Sequence, residues 1–394
     1  MKIAILTSGI LPIPAVRGGA VENHIDFYLK YNDEHKLHDM TVYSIADKKT
    51  SSHPALKSDV NHYVYIDVNS LWSKIKKIIY YKIHGEDYYH YTIEYYFRKA
   101  WKMLIKSQYD VILLDNRPGY ALGMEVPKFT KLHLYLHNDL LNKDTKGALT
   151  IYNKASRILT VSNYIANCVR TINPDDTKCI PVLNGIDLNA FSPNIEAHVT
   201  REQLGFSEKD FIMVFSGRVA KEKGVRELIE SMKRLDYHSD IKLLIIGSPF
   251  YGNTGNEDEF VKSLKELAKP IDNRIRFTGF IPYPEIPQYL KISDIAVIPS
   301  LWDDPCPNTV LEAQAMGLPI ITTCRGGIPE EVTEKNAILL PTNEYFVKNL
   351  TNAILDLYEH PEKRKQMSLE AIKHSKYYNH QRYAEDFFKA LEET

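Results

Sequence analysis

A repeating rhythm constrains this 394-residue chain more than any other feature: short apolar, β-branched runs alternate with longer helical stretches. In the first half the runs fall at 2–7, 41–45, 63–67, 110–114, 132–136 and 157–161. In the second they fall at 211–215, 242–246, 275–278, 294–298, 320–323 and 337–339. None alternates strictly between apolar and polar residues, which is the pattern of strands covered on both faces. Such runs separated by helices predict βαβ crossovers and parallel sheets, an α/β fold. The rhythm breaks at 184–194, where turn formers replace periodicity. The expected organisation is a Rossmann-like domain over 1–190, a second over 191–372, and a C-terminal helix over 373–394 returning to the first domain. Hydrophobic residues make up 44% of the chain, enough for two cores at ~150 residues per domain.

Charge narrows the function. Lys+Arg 49 against Asp+Glu 50 leaves a net charge of −1, which excludes a globally basic nucleic-acid binder. No window approaches ~18 unbroken apolar residues, so no transmembrane helix is expected. The N-terminus runs straight into a strand pattern, without a signal-peptide cleavage region. Cys168, Cys179, Cys306 and Cys324 form no C-x-x-C pair, against a zinc site or a disulfide framework. A cytoplasmic chain is expected.

In doubly wound sheets ligands sit beyond the carboxyl ends of the strands. With two such domains facing one another, the cleft between them is the expected site. The run 211–215 leads into Ser216-Gly217-Arg218-Val219-Ala220-Lys221-Glu222-Lys223-Gly224 and then a helical stretch. Arg218 and Lys223 therefore lie on a strand-to-helix loop, where a helix N-terminus already favours anions. Arg offers a fixed fork of donors and Lys a mobile point charge; solvated charges on a turn are the alternative for this loop alone. The run 294–298 leads into a loop extended by Pro305 and Pro307, then a helix that Asn308 or Thr309 can cap and Gly317 ends. The first amides of that helix, at Asn308, Thr309 and Val310, suit a phosphate. Asp304 and Glu312 place two carboxylates for two hydroxyl-bearing parts of one ligand; a dipole-stabilising acid and a surface Glu are the alternative. Gly18 and Gly19, after the first strand, let backbone amides approach a diphosphate closely, with an ordinary βα turn as the alternative.

Taken together these pieces resemble a family. Asp304, seven residues, Glu312, then Ala-x-Ala-x-Gly-x-Pro and Gly326-Gly327-Ile328-Pro329-Glu330 follow the Arg218/Lys223 loop. Arg17-Gly18-Gly19-Ala20-Val21-Glu22 precedes it, as do His137 within Leu134-Tyr135-Leu136-His137-Asn138-Asp139, Val161-Ser162-Asn163-Tyr164 and Asn184-Gly185-Ile186-Asp187. Over nearly the whole chain this resembles a family 4 retaining glycosyltransferase of the GT-B fold: two doubly wound Rossmann-like domains facing across a cleft. The Leu-Pro-Ile-Pro-Ala-Val-Arg-Gly-Gly-Ala run near the N-terminus is similar to spore-coat and cell-surface polysaccharide members.

The resemblance implies an enzyme that moves a sugar from a nucleotide-sugar donor, UDP-linked, to a glycan on lipid or protein. It implies that Arg218 and Lys223 hold the diphosphate, Glu312 the ribose, Asp304 the sugar hydroxyls, and the amides of Asn308, Thr309 and Val310 the phosphate. Gly217 and the backbone around Phe280 and Ile281 complete the donor site, and Gly18, Gly19 and His137 serve from the first domain. Catalysis falls to His137, Arg218, Lys223 and Asp304, without metal or other cofactor. The chain has no Asp-x-Asp, the metal-binding signature of the other common transferase fold, and no G-x-G-x-x-G after its first strand. Asp304 stands where the family usually has Glu, one methylene longer, a difference that bears on which sugar is held. Two rivals share the architecture: a UDP-sugar 2-epimerase and a non-catalytic sugar-nucleotide-binding subunit.

Residues 72–106 stand apart. Trp72, Tyr80, Tyr81, Tyr88, Tyr89, Tyr91, Tyr95, Tyr96, Phe97 and Trp101 interleave with eight Lys or Arg side chains. Ile75, Ile78, Ile79 and Ile83 form one helical stripe flanked by Lys74, Lys76 and Lys77, with Lys82 inside it. The pattern reads as a surface for anionic lipid or a lipid-linked acceptor, placing the protein at the inner face of the membrane. A cleft wall whose tyrosines bind sugar or pack locally is the alternative.

Overall fold

Among the described residues every strand pairing is parallel, as continuous apolar runs lead one to expect. The computed structural model describes residues 1–84, 95–249 and 258–392. It divides into two compact units, Met1–Asn184 with Gln381–Thr394, and Gly185–His380.

The first unit carries β1 (Lys2–Leu6), β2 (Asp39–Ile45), β3 (Asn61–Ile66), β4 (Val111–Asp115), β5 (Lys131–Leu136), β6 (Arg157–Thr160) and β7 (Cys179–Pro181). Their order is β3-β2-β1-β4-β5-β6-β7. Between them run α1 (Ala20–His35), α2 (Leu71–His84), α3 (Tyr95–Leu104), α4 (Ala148–Lys154) and α5 (Asn163–Arg170). The second unit carries β8 (Phe211–Ser216), β9 (Ile241–Ile246), β10 (Ile275–Gly279), β11 (Ile295–Ile298), β12 (Ile320–Thr323) and β13 (Ala337–Leu340), ordered β10-β9-β8-β11-β12-β13. Its helices are α6 (Val225–Lys233), α7 (Glu259–Ala268), α8 (Ile286–Lys291), α9 (Asn308–Ala315), α10 (Ile328–Glu331), α11 (Phe346–Glu359) and α12 (Pro361–Ser375). The chain ends in α13 (His380–Glu392).

In both sheets the first strand lies centrally and the strand order reverses beside it, between β1 and β4 and between β8 and β11. Those reversals are where an open α/β sheet leaves a crevice beyond its strand ends. Central strands are dry: Ile3, Ala4, Ile5 and Leu6 of β1 and Ile212, Met213 and Val214 of β8 are fully buried.

The unit boundaries differ from the sequence expectation of 190/191 and 372/373. They fall at 184/185 and 380/381, and backbone pairing explains the shift. Ile186 donates to the carbonyl of Tyr378 at 2.7 Å and accepts from the amide of His380 at 3.0 Å, which ties the start of the linker to the end of the second unit. α12 packs on α9 and so stays with that unit. Beyond His380 the chain belongs to the first unit, where the Phe387 ring stacks on Tyr28 with centroids 3.9 Å apart. β7 is a further difference. It is a three-residue edge strand ending in Pro181, too short to show a pattern and able to hold a proline because its outer side is unpaired.

Candidate functional site

The second unit builds a charged turn at the carboxyl end of its central strand. β8 delivers the chain through Gly217 to Arg218, a 3₁₀ turn covers Lys221–Lys223, and Gly224 opens α6. Gly224 sits at φ 70°, and a side chain there would collide with the carbonyl of Pro299. Only glycine lets the turn lie this close to the chain leaving β11. Two of the turn's three cations, Arg218 and Lys223, have acidic partners. Arg218 Nη2 donates to Glu222 Oε1 at 3.1 Å, in a half-exposed pair. Lys223 Nζ donates to Asp304 Oδ2, a contact between two mostly buried groups.

Asp304 is fixed from its other side by the Arg325-Gly326-Gly327 turn. The Gly327 amide donates to the Asp304 carbonyl at 2.8 Å, and Gly326, at φ 55°, lies against the Asp303–Asp304 backbone with no room for a Cβ. Arg325 Nε meets Asp303 Oδ1 at 3.1 Å. The loop after β11 and the loop after β12 are thereby clamped into one wall.

The start of α9 differs from expectation. Pro307, not Asn308 or Thr309, occupies the N-cap, and no side chain caps the helix. The two prolines hold the loop extended up to the first helical residue, so Asn308 already has helical backbone. Val310 is fully buried and its amide donates to the Pro307 carbonyl at 2.9 Å. This leaves Asn308 and Thr309 as the half-exposed residues of the first turn.

Glu312, one turn further, is buried, and burial pushes its carboxyl up to about 7 against the opposing pull of the Tyr283 hydroxyl. Tyr283 stands just beyond Phe280 and Ile281, which follow the end of β10, and its ring lies 5.4 Å from that of Phe191. Glu331 on α10 is also buried; burial holds its carboxyl well above the carboxylate range, with the Cys306 thiol donating to Oε1 at 3.1 Å. The main chain of Glu331 accepts from Gln314 Nε2 at 2.8 Å, and Gln314 Oε1 from Asn336 Nδ2 at 2.9 Å. Sequence reading passed over Tyr283 and Glu331, although both lie within three residues of segments it singled out.

The first unit gathers a different set. Gly18 and Gly19 have φ 74° and 111°, and Glu22, in the first turn of α1, folds back so that its Oε2 fills the space a Gly19 side chain would need. Asp115 ends β4, fully buried, and its Oδ1 lies 3.3 Å from His137 Nε2, just past β5. The Tyr135 ring packs 4.3 Å from that imidazole. Burial pushes Glu22 up to about 7, helped by the negative charges of Asp115 and Asp26. Asp26, which accepts from the Ala15 amide at 2.8 Å, is likewise raised to about 7 by burial. The structure thus joins His137 to Asp115, a residue the sequence presented only as the end of a strand.

Of the aromatic and basic stretch, α2 and α3 are described, whereas Tyr88, Tyr89 and Tyr91 lie outside the described residues. Lys77 does not flank the isoleucine stripe. It lies half-buried on the opposite side of α2, with Ser73 and Tyr80.

The chain and its fold are similar to those of known proteins. The family model "Glycosyl transferases group 1" matches residues 197–374. Spore coat protein SA of Bacillus subtilis (strain 168) is 31% identical over 387 residues, covering 93% of this chain and 92% of that protein. Anabaena HepE, solved with UDP and glucose, superposes with a TM-score of 0.74 at 20% identity and full coverage of both chains, and its complex with UDP-glucose gives 0.73. Sucrose-phosphate synthase from Thermosynechococcus elongatus gives 0.70 at 16% identity, over 99% of this chain and 98% of that one.

Proposed function

This chain belongs to the group 1 glycosyl transferases and has their GT-B fold, and we propose that it moves a sugar from a UDP-linked donor to a glycan, lipid-linked or protein-linked acceptor. The product would serve cell-surface polysaccharide or glycoconjugate synthesis. The observation that carries the reading is that Arg218 and Lys223, on the turn after β8, are each held by an acid that a diphosphate can replace. Negative charge grows on the diphosphate as the sugar–phosphate bond breaks. A fixed guanidinium therefore stabilises the transition state more than the ground state. In this reading Arg218 leaves Glu222 for the leaving group, and Lys223 divides its charge between phosphate and Asp304. Asp304, held from behind by the glycine turn, meets the sugar hydroxyls, and Glu312 with Tyr283 meets the ribose. His137, beside Asp115, touches the donor sugar. No residue stands out as a covalent nucleophile, which favours attack on the face from which the leaving group departs, with retention. The uridine choice is supported by the UDP and UDP-glucose bound to a protein of the same fold.

The test is a panel of nucleotide sugars, with release of free nucleotide and the anomeric configuration of the product read by NMR. Turnover of UDP-sugars with retention is the expected result. Turnover confined to GDP- or ADP-sugars removes the uridine assignment, an inverted anomer removes front-face attack, and an acceptor-free 2-epimer marks an epimerase.

A further inference from the structure

Helix α2 is amphipathic in the wrong sense for a helix of a water-soluble domain. At about 100° per residue, Ile78, Leu71, Ile75, Ile79, Trp72 and Ile83 fall on one arc about 140° wide. All six are exposed, between 45% and 80% of their surface. The side turned to the protein is the polar one: Ser73 is buried, and Tyr80 lies under the guanidinium of Arg98 at 4.9 Å. An apolar face of this kind on a monomer marks an interaction surface.

Charge decides which partner. Lys74 stands about 40° beyond one edge of the arc, Lys76 about 20° beyond the other, and Lys82 projects from within it. All three are exposed, as are Arg98, Lys99 and Lys102 on the neighbouring α3. A second copy docking through the same face would set these lysines against one another, since a two-fold contact meets itself. An anionic bilayer neutralises them: Lys74 and Lys76 reach headgroups from the flanks, and Lys82 snorkels past its own stem. The helix has 14 residues, about 21 Å at 1.5 Å per residue, short of the ~30 Å hydrocarbon core. Among the described residues no helix is long and apolar enough to cross a membrane. We propose that α2 lies flat in the interface of an anionic lipid bilayer, its Leu71–Ile83 arc among the acyl chains and its lysines among the headgroups. Trp72, at the start of the arc, then sits at headgroup depth.

The docking requires no assumption about donor or reaction, so its test reads binding alone. The full chain is floated with vesicles of phosphatidylcholine, with and without phosphatidylglycerol, at low and high salt. Wild type should float with the anionic vesicles and release as salt shortens the screening length from about 10 Å at 0.1 M to 3 Å at 1 M. Ile75→Asn with Ile79→Asn should lose flotation. Reversing Lys74, Lys76 and Lys82 to Glu should lower partition on the order of a hundredfold, about fivefold per lysine. Trp72 emission should shift to the blue on binding, an effect absent in Trp72→Phe. Circular dichroism and donor hydrolysis, unchanged in each variant, confirm that the chain is folded. Wild type that stays with the soluble fraction on anionic vesicles overturns the proposal. So do variants that float equally, or a dimer in solution that Ile75→Asn with Ile79→Asn dissociates.

Discussion

The two units end their central strands in turns of opposite electrical character. After β8 the turn presents Arg218 and Lys223, each tied to an acid. After β1 the corresponding turn presents two glycines and then Glu22, backed by Asp26 and by the Asp115–His137 pair. The same topology therefore gives one cationic edge and one acid-rich edge. What differs is how each acid is kept quiet. Beside the β8 turn Asp304 has a cation, whereas beside the β1 turn Glu22 and Asp26 carry a proton up to about pH 7 because burial offers no counter-charge. A diphosphate suits the first arrangement, and neutral sugar hydroxyls suit the second.

The comparison is broken most directly at Arg218. Removing one preorganised donor to a developing anion typically costs about 10²–10³ in kcat. Arg218→Ala should fall in that range with its circular dichroism intact, and Arg218→Lys should recover part of the loss, since a point charge lacks the guanidinium fork. Replacing Glu22 by Gln at the other edge should leave turnover within a few fold, because the neutral amide copies the protonated acid. If Arg218→Ala raised KM alone, leaving-group stabilisation would belong elsewhere.

A second contrast is in pH. Glu312 keeps its proton to about 7 in the folded chain, whereas its ordinary value is near 4.5. Unfolded chains lose this proton first, so the group favours folding fully below pH 4.5 and that advantage is lost as pH rises through 7. At about 1.4 kcal/mol per pK unit the loss is on the order of 3 kcal/mol. Urea unfolding of wild type should weaken from pH 5 to 8, and Glu312→Gln should flatten the profile. Glu22→Gln should do the same for the first unit, over the same interval. A profile unchanged by either substitution would mean that both carboxylates are ionised in the fold.

Much of this was legible in the sequence because it is written locally. Each apolar run became a strand, since strands covered on both faces need no partner-specific pattern. Arg218 and His137 fall just past strand ends, and Lys223, Asp304, Gly18 and Gly19 lie on the connections to the next helix, with Glu312 in the helix itself. What stayed hidden depends on pairing over distance. Asp115 meets His137 only because β4 and β5 are neighbours. Cys306 meets Glu331 only because α10 folds beside the loop after β11. Pro307 took the N-cap because the loop geometry, fixed by the Gly326 turn, outweighed the capping preference of Asn308. The boundary at 184/185 followed from the pairing of Ile186 with Tyr378 and His380, which turn composition could not reveal.

The smallest expected effect is no effect, and it tests the electrical contrast as a whole. If Arg218 and Lys223 supply the positive charge that the leaving diphosphate needs, turnover should be the same with and without excess EDTA. A divalent ion, were one required, would be drawn to the acid-rich edge or to Asp304. Glu22 and Asp26 are poor ligands while they hold protons, to about pH 7, and Asp304 already has its cation in Lys223. Raising the pH to 8 frees the first two acids, so the chelator test is run at pH 6.5 and again at pH 8. Equal rates at both values leave charge neutralisation with the two side chains. A loss restored by Mn²⁺ at pH 8 alone would assign the ion to the Glu22 edge, and a loss at both would remove Arg218 and Lys223 from that role.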